Sequence, residues 1–138
     1  MSAAEGGPAG EIRRVSSGAP WERVVGYSRA VAAGDFIFVS GCTAVRDGVP
    51  AHPGDAYAQA VLAIANAAAA LARLGAGLAD VVRTRIYVTD ISRWPEVGRA
   101  HAEAFGSAPP ATSMVQVSAL IDPALLVEVE AVAYRPAS

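Results

Sequence analysis

The stretch "LLVEVEAVAY", residues 125–134, decides how this chain is read. Apolar and β-branched residues recur there at period two, the pattern of a strand. Leu125, Val127, Val129, Ala131 and Ala133 share one face; Leu126, Glu128, Glu130, Val132 and Tyr134 share the other. The first face needs a layer to cover it. The second sets two carboxylates side by side, which asks for a chemical or structural reason.

Upstream elements supply the covering layer. "VVGYSRAVAAGDFIFVSG" reads as two strands, residues 25–31 and 36–40, joined at Ala33-Gly34-Asp35 into a hairpin. "RDGVPAHPGD" is a loop, and its Asp55 caps the helix that follows. Ala60, Ile64, Ala67, Leu71 and Leu74 recur through that helix at helical spacing, and Gly75 and Gly77 end it. "DVVRTRIYVTD" is a strand over residues 81–89. Ser92 is placed to cap a second helix over 93–105, with Pro95 in its first turn and Trp94, Val97, Gly98, His101 and Phe105 as its inner stripe. "TSMVQVSAL" and the opening stretch are the last strands. The order β-β-α-β-α-β-β predicts an α+β domain with two helices on one face of a single sheet.

Parity assigns Ile37, Val39, Val82, Ile86, Val88, Val115, Val117, Val127 and Val129 to the face under the helices. The opposite face collects Tyr27, Arg29, Arg83, Arg85, Tyr87, Thr112, Met114, Gln116, Glu128 and Glu130. That surface has two readings. It is either a solvated antiparallel face or a shared oligomer interior with a small-molecule cleft at its edge, which its tyrosines and arginines suit.

Composition bounds the chemistry. At 138 residues the chain suits one domain, with residues 1–12 as a flexible tail and 13–138 as the folded unit. No apolar run is long and uncharged enough to span a membrane, and "MSAAEGGPAG" has no signal-peptide core, so a cytoplasmic location is expected. Net charge is −2 and no basic block exists, which argues against a nucleic-acid surface. All 11 basic residues are arginines, so Schiff-base chemistry on a lysine is excluded. Cys42 is the only cysteine, and His52 and His101 are the only histidines; no metal-ligand spacing or nucleophile signature stands out.

The segments "GYSRAVAAGDFIFVSG", "AGLADVVRTRIYVTDI", "AHAEAFG", "PPATSMVQV" and "LLVEVEAVAY", in this order over residues 14–134, resemble the Rid family, also called the YjgF/YER057c/UK114 or endoribonuclease L-PSP family. The resemblance implies a chorismate-mutase-like fold and a homotrimer with three clefts between subunits. It also implies hydrolysis of reactive enamines and imines to carbonyl compounds and ammonia, with no metal or organic cofactor. The family's cleft tyrosine falls on Tyr27, its Ser-Gly pair on Ser40-Gly41 and its cleft glutamate on Glu128. Three positions depart. The arginine expected to hold a substrate carboxylate is Thr112, the cysteine two residues later is Met114, and a helix asparagine is Gly98.

These residues frame the expected chemistry. Glu128 serves as general base for water attacking an imine carbon, with Tyr27 steadying the developing charge. Ser40, Gly41, Thr112, Met114 and Gly98 line the substrate, and Arg29 or Arg85 is available to replace the lost arginine. Losing a charge-assisted bond of about 1.5–3 kcal/mol predicts weak activity on small 2-imino carboxylic acids. Glu130 belongs to an ion-pair network, Cys42 reads as a small buried hydrophobe, and His101 as a packing residue or a cleft residue beside Gly98. A trimer that binds a small metabolite without turnover is the alternative, and an endoribonuclease the reading that charge disfavours.

Overall fold

The computed structural model describes residues 11–136. Six strands form one sheet: β1 (Ile12–Val15), β2 (Ala30–Ala33), β3 (Phe36–Thr43), β6 (Val81–Val88), β7 (Ala111–Gln116) and β8 (Val127–Tyr134). A small hairpin, β4 (Val45–Arg46) and β5 (Val49–Pro50), leads into helix α1 (Ala56–Arg73), and α2 (Trp94–Phe105) links β6 to β7. The strand order is β1-β2-β3-β8-β6-β7. Only β6 and β7 run parallel, because a helix must carry the chain back between them. Both helices pack on one face, over Ile37, Val39, Ile86, Val88, Val127 and Val129.

Local chemistry explains most elements. Asp55 accepts from the Ala58 amide at 3.0 Å and so starts α1, whose buried stripe includes Ala60, Ile64, Ala67 and Leu71. Gly75 ends it at φ +82°, in the left-handed region that glycine enters without steric cost. Gln59 is fully buried on this helix and reaches across to the chain before β8. It donates to the Ala124 carbonyl at 2.9 Å and accepts from the Leu126 amide at 2.8 Å.

Four expectations need correction. The strand placed at residues 25–31 starts only at Ala30. Residues Glu22–Gly26 instead make one wide helical turn. Val24 and Val25 have β propensity, yet they are 77% and 70% exposed, because the buried Glu22 carboxylate anchors the turn and overrides them. Strand β1, which the sequence reading did not place, pairs with β2 from Ile12, the last residue assigned to the tail, to Val15; residues 1–10 lie outside the described residues. The α2 cap is also displaced. Asp90, not Ser92, accepts from a backbone amide, and it starts a short turn at Ile91–Arg93 from which α2 continues. Trp94 is then 59% exposed rather than part of the inner stripe.

The fourth correction bears on the site. Two residues, Ser40 and Gly41, stand against one between the pairs Val39↔Ala131 and Cys42↔Val129, a bulge in β3. A similar irregularity at Val81/Arg83 turns Val82 outward to 45% exposure. In β7 the parity is inverted. Its register pairs Thr84 with Thr112 and Ile86 with Met114, so Thr112 and Met114 share the helix side and Val115 faces out at 48% exposure. A lone edge strand without a strong hydrophobic alternation left this choice open. Beside the carboxylates, the outer face also carries exposed Phe36, Phe38 and Tyr134. Among the described residues no helix is long and apolar enough to cross a membrane.

Candidate functional site

The β3 bulge builds the first half of the site. With no side chain, Gly41 lets the Glu128 carboxylate lie directly on its backbone; a Cβ there would stand 2.3 Å from Glu128 Oε2. Glu128 is half-buried, and Glu130 follows two residues later on the same face. Burial and, next, the Glu130 charge hold the Glu128 carboxyl above its ordinary value, with Arg29 pulling the other way. A glutamate raised in this manner takes up a proton more readily than an ordinary one, which suits a general base.

The opening pair of carboxylates therefore divides. Glu130 accepts from Tyr87 Oη at 2.5 Å and sits 3.8 Å from Arg85. The strand register places Arg85 directly opposite Glu130, whereas Tyr87 lies opposite Glu128 and reaches diagonally to Glu130. Arg83, one pair further along, donates instead to Ser113 at 2.9 Å. Glu128 is left on its glycine seat, outside that ion pair.

Arg29 organises the rest of this half. Its Nη1 donates to the Gly41 carbonyl at 2.7 Å and the Ser40 carbonyl at 3.2 Å, and its Nη2 to Tyr27 Oη at 3.2 Å. Its Nε lies 3.5 Å from the Glu22 carboxylate, which is only 5% exposed. The guanidinium thus ties the chain before β2 to the bulge of β3. Each of its three nitrogens thus has a partner within the chain, and Arg85 lies 3.8 Å from Glu130. Because Tyr27 Oη accepts from Arg29, its own proton remains available to a bound molecule. Ser40 Oγ donates to the Ser28 carbonyl at 2.7 Å and shapes the backbone rather than facing a substrate as a nucleophile.

Glu22 is the residue that sequence reasoning missed. Ser16 Oγ donates to it at 2.8 Å, and the Ser17 amide and hydroxyl also donate. Burial pushes its carboxyl upward, but these bonds and the Arg29 charge outweigh that and leave it lowered. The only signal was an acidic residue between Trp21 and a pair of valines; its serine partners are five and six residues away and reach it only because the chain turns. Cys42 is buried beside Arg29, and burial pushes its thiol upward, so it is an unreactive thiol.

The second half lies across the sheet. Thr84 is fully buried, with Oγ1 2.9 Å from His101 Nε2 and 2.8 Å from Thr112 Oγ1. Thr112 Oγ1 in turn donates to the Pro110 carbonyl at 3.2 Å. Gly98 lies one turn before His101 on α2, and a Cβ there would meet only Trp94, at 3.7 Å. Met114 packs against the core. Within one chain the inverted parity of β7 puts Thr112 and Met114 on the helix side and Glu128 on the other. Tyr27, Arg29, Ser40, Gly41 and Glu128 come together; Gly98, Thr112 and Met114 form a separate group; and Arg85 belongs with Glu130. Among the described residues, no cluster of His, Cys, Asp or Glu is placed to hold a metal.

Comparison with known proteins bears on the family and the fold. The family model "Endoribonuclease L-PSP" matches residues 18–135. The crystal structure of Rv2704 from Mycobacterium tuberculosis, a member of the YjgF/YER057c/UK114 family, superposes with a TM-score of 0.82 at 55% identity, covering 90% of this chain and 99% of that one. A Streptomyces coelicolor protein, SCO2049, is 44% identical over 91% of this chain and 94% of its own. A RutC family protein of Pyrococcus abyssi is 35% identical over 79% and 86%. The fold is the α+β, chorismate-mutase-like one shared by these structures.

Proposed function

The chain belongs to the endoribonuclease L-PSP, or YjgF/YER057c/UK114, family, and on that premise we propose that it is a cytoplasmic enamine and imine deaminase working in the clefts of a homotrimer. The observation that carries this reading is the Glu128 carboxylate seated on Gly41, with its proton affinity raised and the Tyr27 hydroxyl held nearby in sequence by Arg29.

The chemistry follows from those groups. An enamine first takes a proton on carbon and gives one up from nitrogen, becoming an imine. Glu128 accepts a proton from water as the oxygen bonds to the imine carbon, and the C=N electron pair moves onto nitrogen. Tyr27 supplies a hydrogen bond to the atom that gains charge. Glu128 returns that proton to the nitrogen, giving the carbinolamine, whose hydroxyl proton then passes through Glu128 to the same nitrogen. The C–N bond breaks, ammonia leaves and a carbonyl compound remains. Free imines already react with water, so the site is asked for a modest acceleration of about 10²–10⁴-fold.

Two further features support a shared cleft. The two groups of candidate residues lie on opposite sides of one chain, so a neighbouring subunit is needed to unite them. The exposed Phe36, Phe38, Val115 and Tyr134 give the outer face apolar surface to bury between subunits. Ribonuclease activity is the weaker reading, since the chain carries a net charge of −2 and no lysine.

The test generates 2-imino acids with an amino-acid oxidase in the presence of semicarbazide and follows the loss of semicarbazone. Small, aromatic and basic imino acids are compared. The expected result is turnover that falls about 10²–10⁴-fold in Glu128→Gln. Turnover by the wild type that survives this substitution unchanged refutes the assignment. Because Thr112 stands where the resemblance places a carboxylate-holding arginine, small 2-imino acids are expected to be poor substrates.

A further inference from the structure

Arg29 and Glu128 meet at one residue. The guanidinium donates to the Gly41 carbonyl at 2.7 Å, and the Glu128 carboxylate lies where a Gly41 Cβ would be. A mostly buried cation and a carboxylate so placed would satisfy each other as an ion pair. Yet the ion pair that Arg29 makes is with Glu22, at 3.5 Å through Nε. The links around this guanidinium have one possible direction, because it only donates, while a carbonyl or a carboxylate only accepts. Nη2 donates to Tyr27 Oη at 3.2 Å and Nη1 to the Gly41 and Ser40 carbonyls. One planar group therefore sets both the Tyr27 hydroxyl and the bulge on which Glu128 is seated.

Glu22 fixes how that plane is turned, and it is itself held from several sides. The Ser16 and Ser17 hydroxyls and the Ser17 amide donate to it, and Arg73 at the end of α1 donates to the Ser16 carbonyl. Although burial opposes its charge, these donors and Arg29 keep its carboxyl below the ordinary value, so it remains an anion at neutral pH. Without that anion, the guanidinium would stay in a mostly buried place with Glu128 across Gly41 as the carboxylate at hand. Pairing there would draw it off Tyr27 and lower the proton affinity of Glu128. The other groups facing Glu128 do not replace this effect. Glu130 on the same strand raises it, Arg85 on β6 lies against Glu130, Tyr87 donates to Glu130, and Cys42 on β3 is a neutral thiol pushed up by burial.

We propose that Glu22 is a positioning residue for the site: it claims the Arg29 cation, keeps it bonded to Tyr27 and the Gly41 bulge, and so withholds it from Glu128. The inference rests on the deaminase reading for the role of Glu128 as base. Glu22 acts through Arg29, and the loop of Ser16 and Ser17 that holds Glu22 is thereby linked to the strength of that base.

Carbon-13 NMR of the glutamate carboxyl groups, followed across pH on the full chain, tests this; the Glu128 signal is the one missing from Glu128→Gln. In Glu22→Gln, Glu128 is expected to titrate at lower pH than in the wild type. In Glu22→Gln/Arg29→Gln the cation is gone, and Glu128 is expected to titrate at higher pH than in the wild type. The double variant leaves neither member of the pair charged and alone, which keeps the test open if Glu22→Gln fails to fold. A merely structural Glu22 would change stability and leave the titration of Glu128 where it is. An unchanged or higher Glu128 midpoint in Glu22→Gln, or a double variant that titrates like the wild type or below it, would overturn the proposal. Imine hydrolysis is scored separately on the same proteins. In Glu22→Gln, kcat/KM is expected to fall about tenfold or more, with its acid limb moved to lower pH; hydrolysis at the wild-type rate would overturn the positioning role. The expected titration shifts in a protein whose wild type hydrolyses no imine would remove the deaminase reading and leave the hold of Glu22 on Arg29 standing.

Discussion

The two halves of the candidate site solve the problem of a buried polar group in opposite ways. Around β2, β3 and β8 the groups are charged. Glu22 and Arg29 neutralise each other, all three guanidinium nitrogens of Arg29 have partners, and one carboxylate, Glu128, is left on a glycine seat with its proton affinity raised. Between β6, β7 and α2 the groups are neutral, and two threonine hydroxyls link His101 to the Pro110 carbonyl. The first arrangement keeps a reactive charge and fixes what surrounds it. The second removes charge altogether.

The contrast can be broken most sharply at Gly41. A methyl group there would stand 2.3 Å from Glu128 Oε2, at the mobile end of a side chain rather than against backbone. Gly41→Ala should therefore fold normally, with a melting temperature within a few degrees of wild type, yet lose about 10²-fold or more of imine hydrolysis as the carboxylate is displaced. Full activity in that variant would mean that the seated carboxylate is not the working one.

Stability should separate the halves next. Glu22→Gln leaves Arg29 without its charge partner in a mostly buried place, which costs about 3 kcal/mol. Thr84→Val removes the central hydroxyl of a neutral chain and should cost less, about 1–2 kcal/mol. Urea denaturation of both variants checks the ranking. A larger loss at Thr84 would reverse the distinction between a charged anchor and a neutral relay.

The smallest effects are in pH dependence, where Glu22 and Glu128 carry opposite signs. Glu22 is lowered, so its contribution to stability is present above the ordinary glutamate value of 4.5 and is lost as pH falls through its folded value. Glu128 is raised, so its favourable contribution exists below 4.5 and is lost as pH rises through its folded value. Glu128→Gln should therefore be more stable than wild type at neutral pH, and the difference should fade on acidification below about 4.5. Thermal melts across pH 3–8, about the range in which carboxylates titrate, show whether the two signs hold. A difference that grows on acidification contradicts them.

Legibility in the sequence followed the strength of local pattern. The period-two stripe of residues 125–134 and the helical spacing through α1 were readable because a buried face forces them, and Asp55 announced its own cap. The parity of β7 was not readable. "TSMVQV" offers apolar residues to both faces, and only the parallel register with β6 decides between them. The turn at Glu22–Gly26 was hidden for a different reason: Val24 and Val25 favour a strand, and what overrules them is a carboxylate whose partners are two serines upstream and an arginine downstream. In the site, Tyr27, Ser40, Gly41 and Glu128 could be singled out by resemblance, and Glu130 was left for an ion pair because the resemblance places a single glutamate in the cleft. The directions of Arg29 and Thr112 could not. Those depend on which carbonyl lies within reach, and a sequence does not record such distances.

The central claim, that Glu128 is the base, is met most directly by the pH profile of imine hydrolysis. The account predicts that kcat/KM falls on the acid side with a single ionisation above the ordinary glutamate value. Removing the neighbouring charge in Glu130→Gln should move that limb to lower pH, and Glu128→Gln should abolish it together with most of the rate. A profile that is flat on the acid side, or an acid limb that persists unchanged in Glu128→Gln, would contradict it.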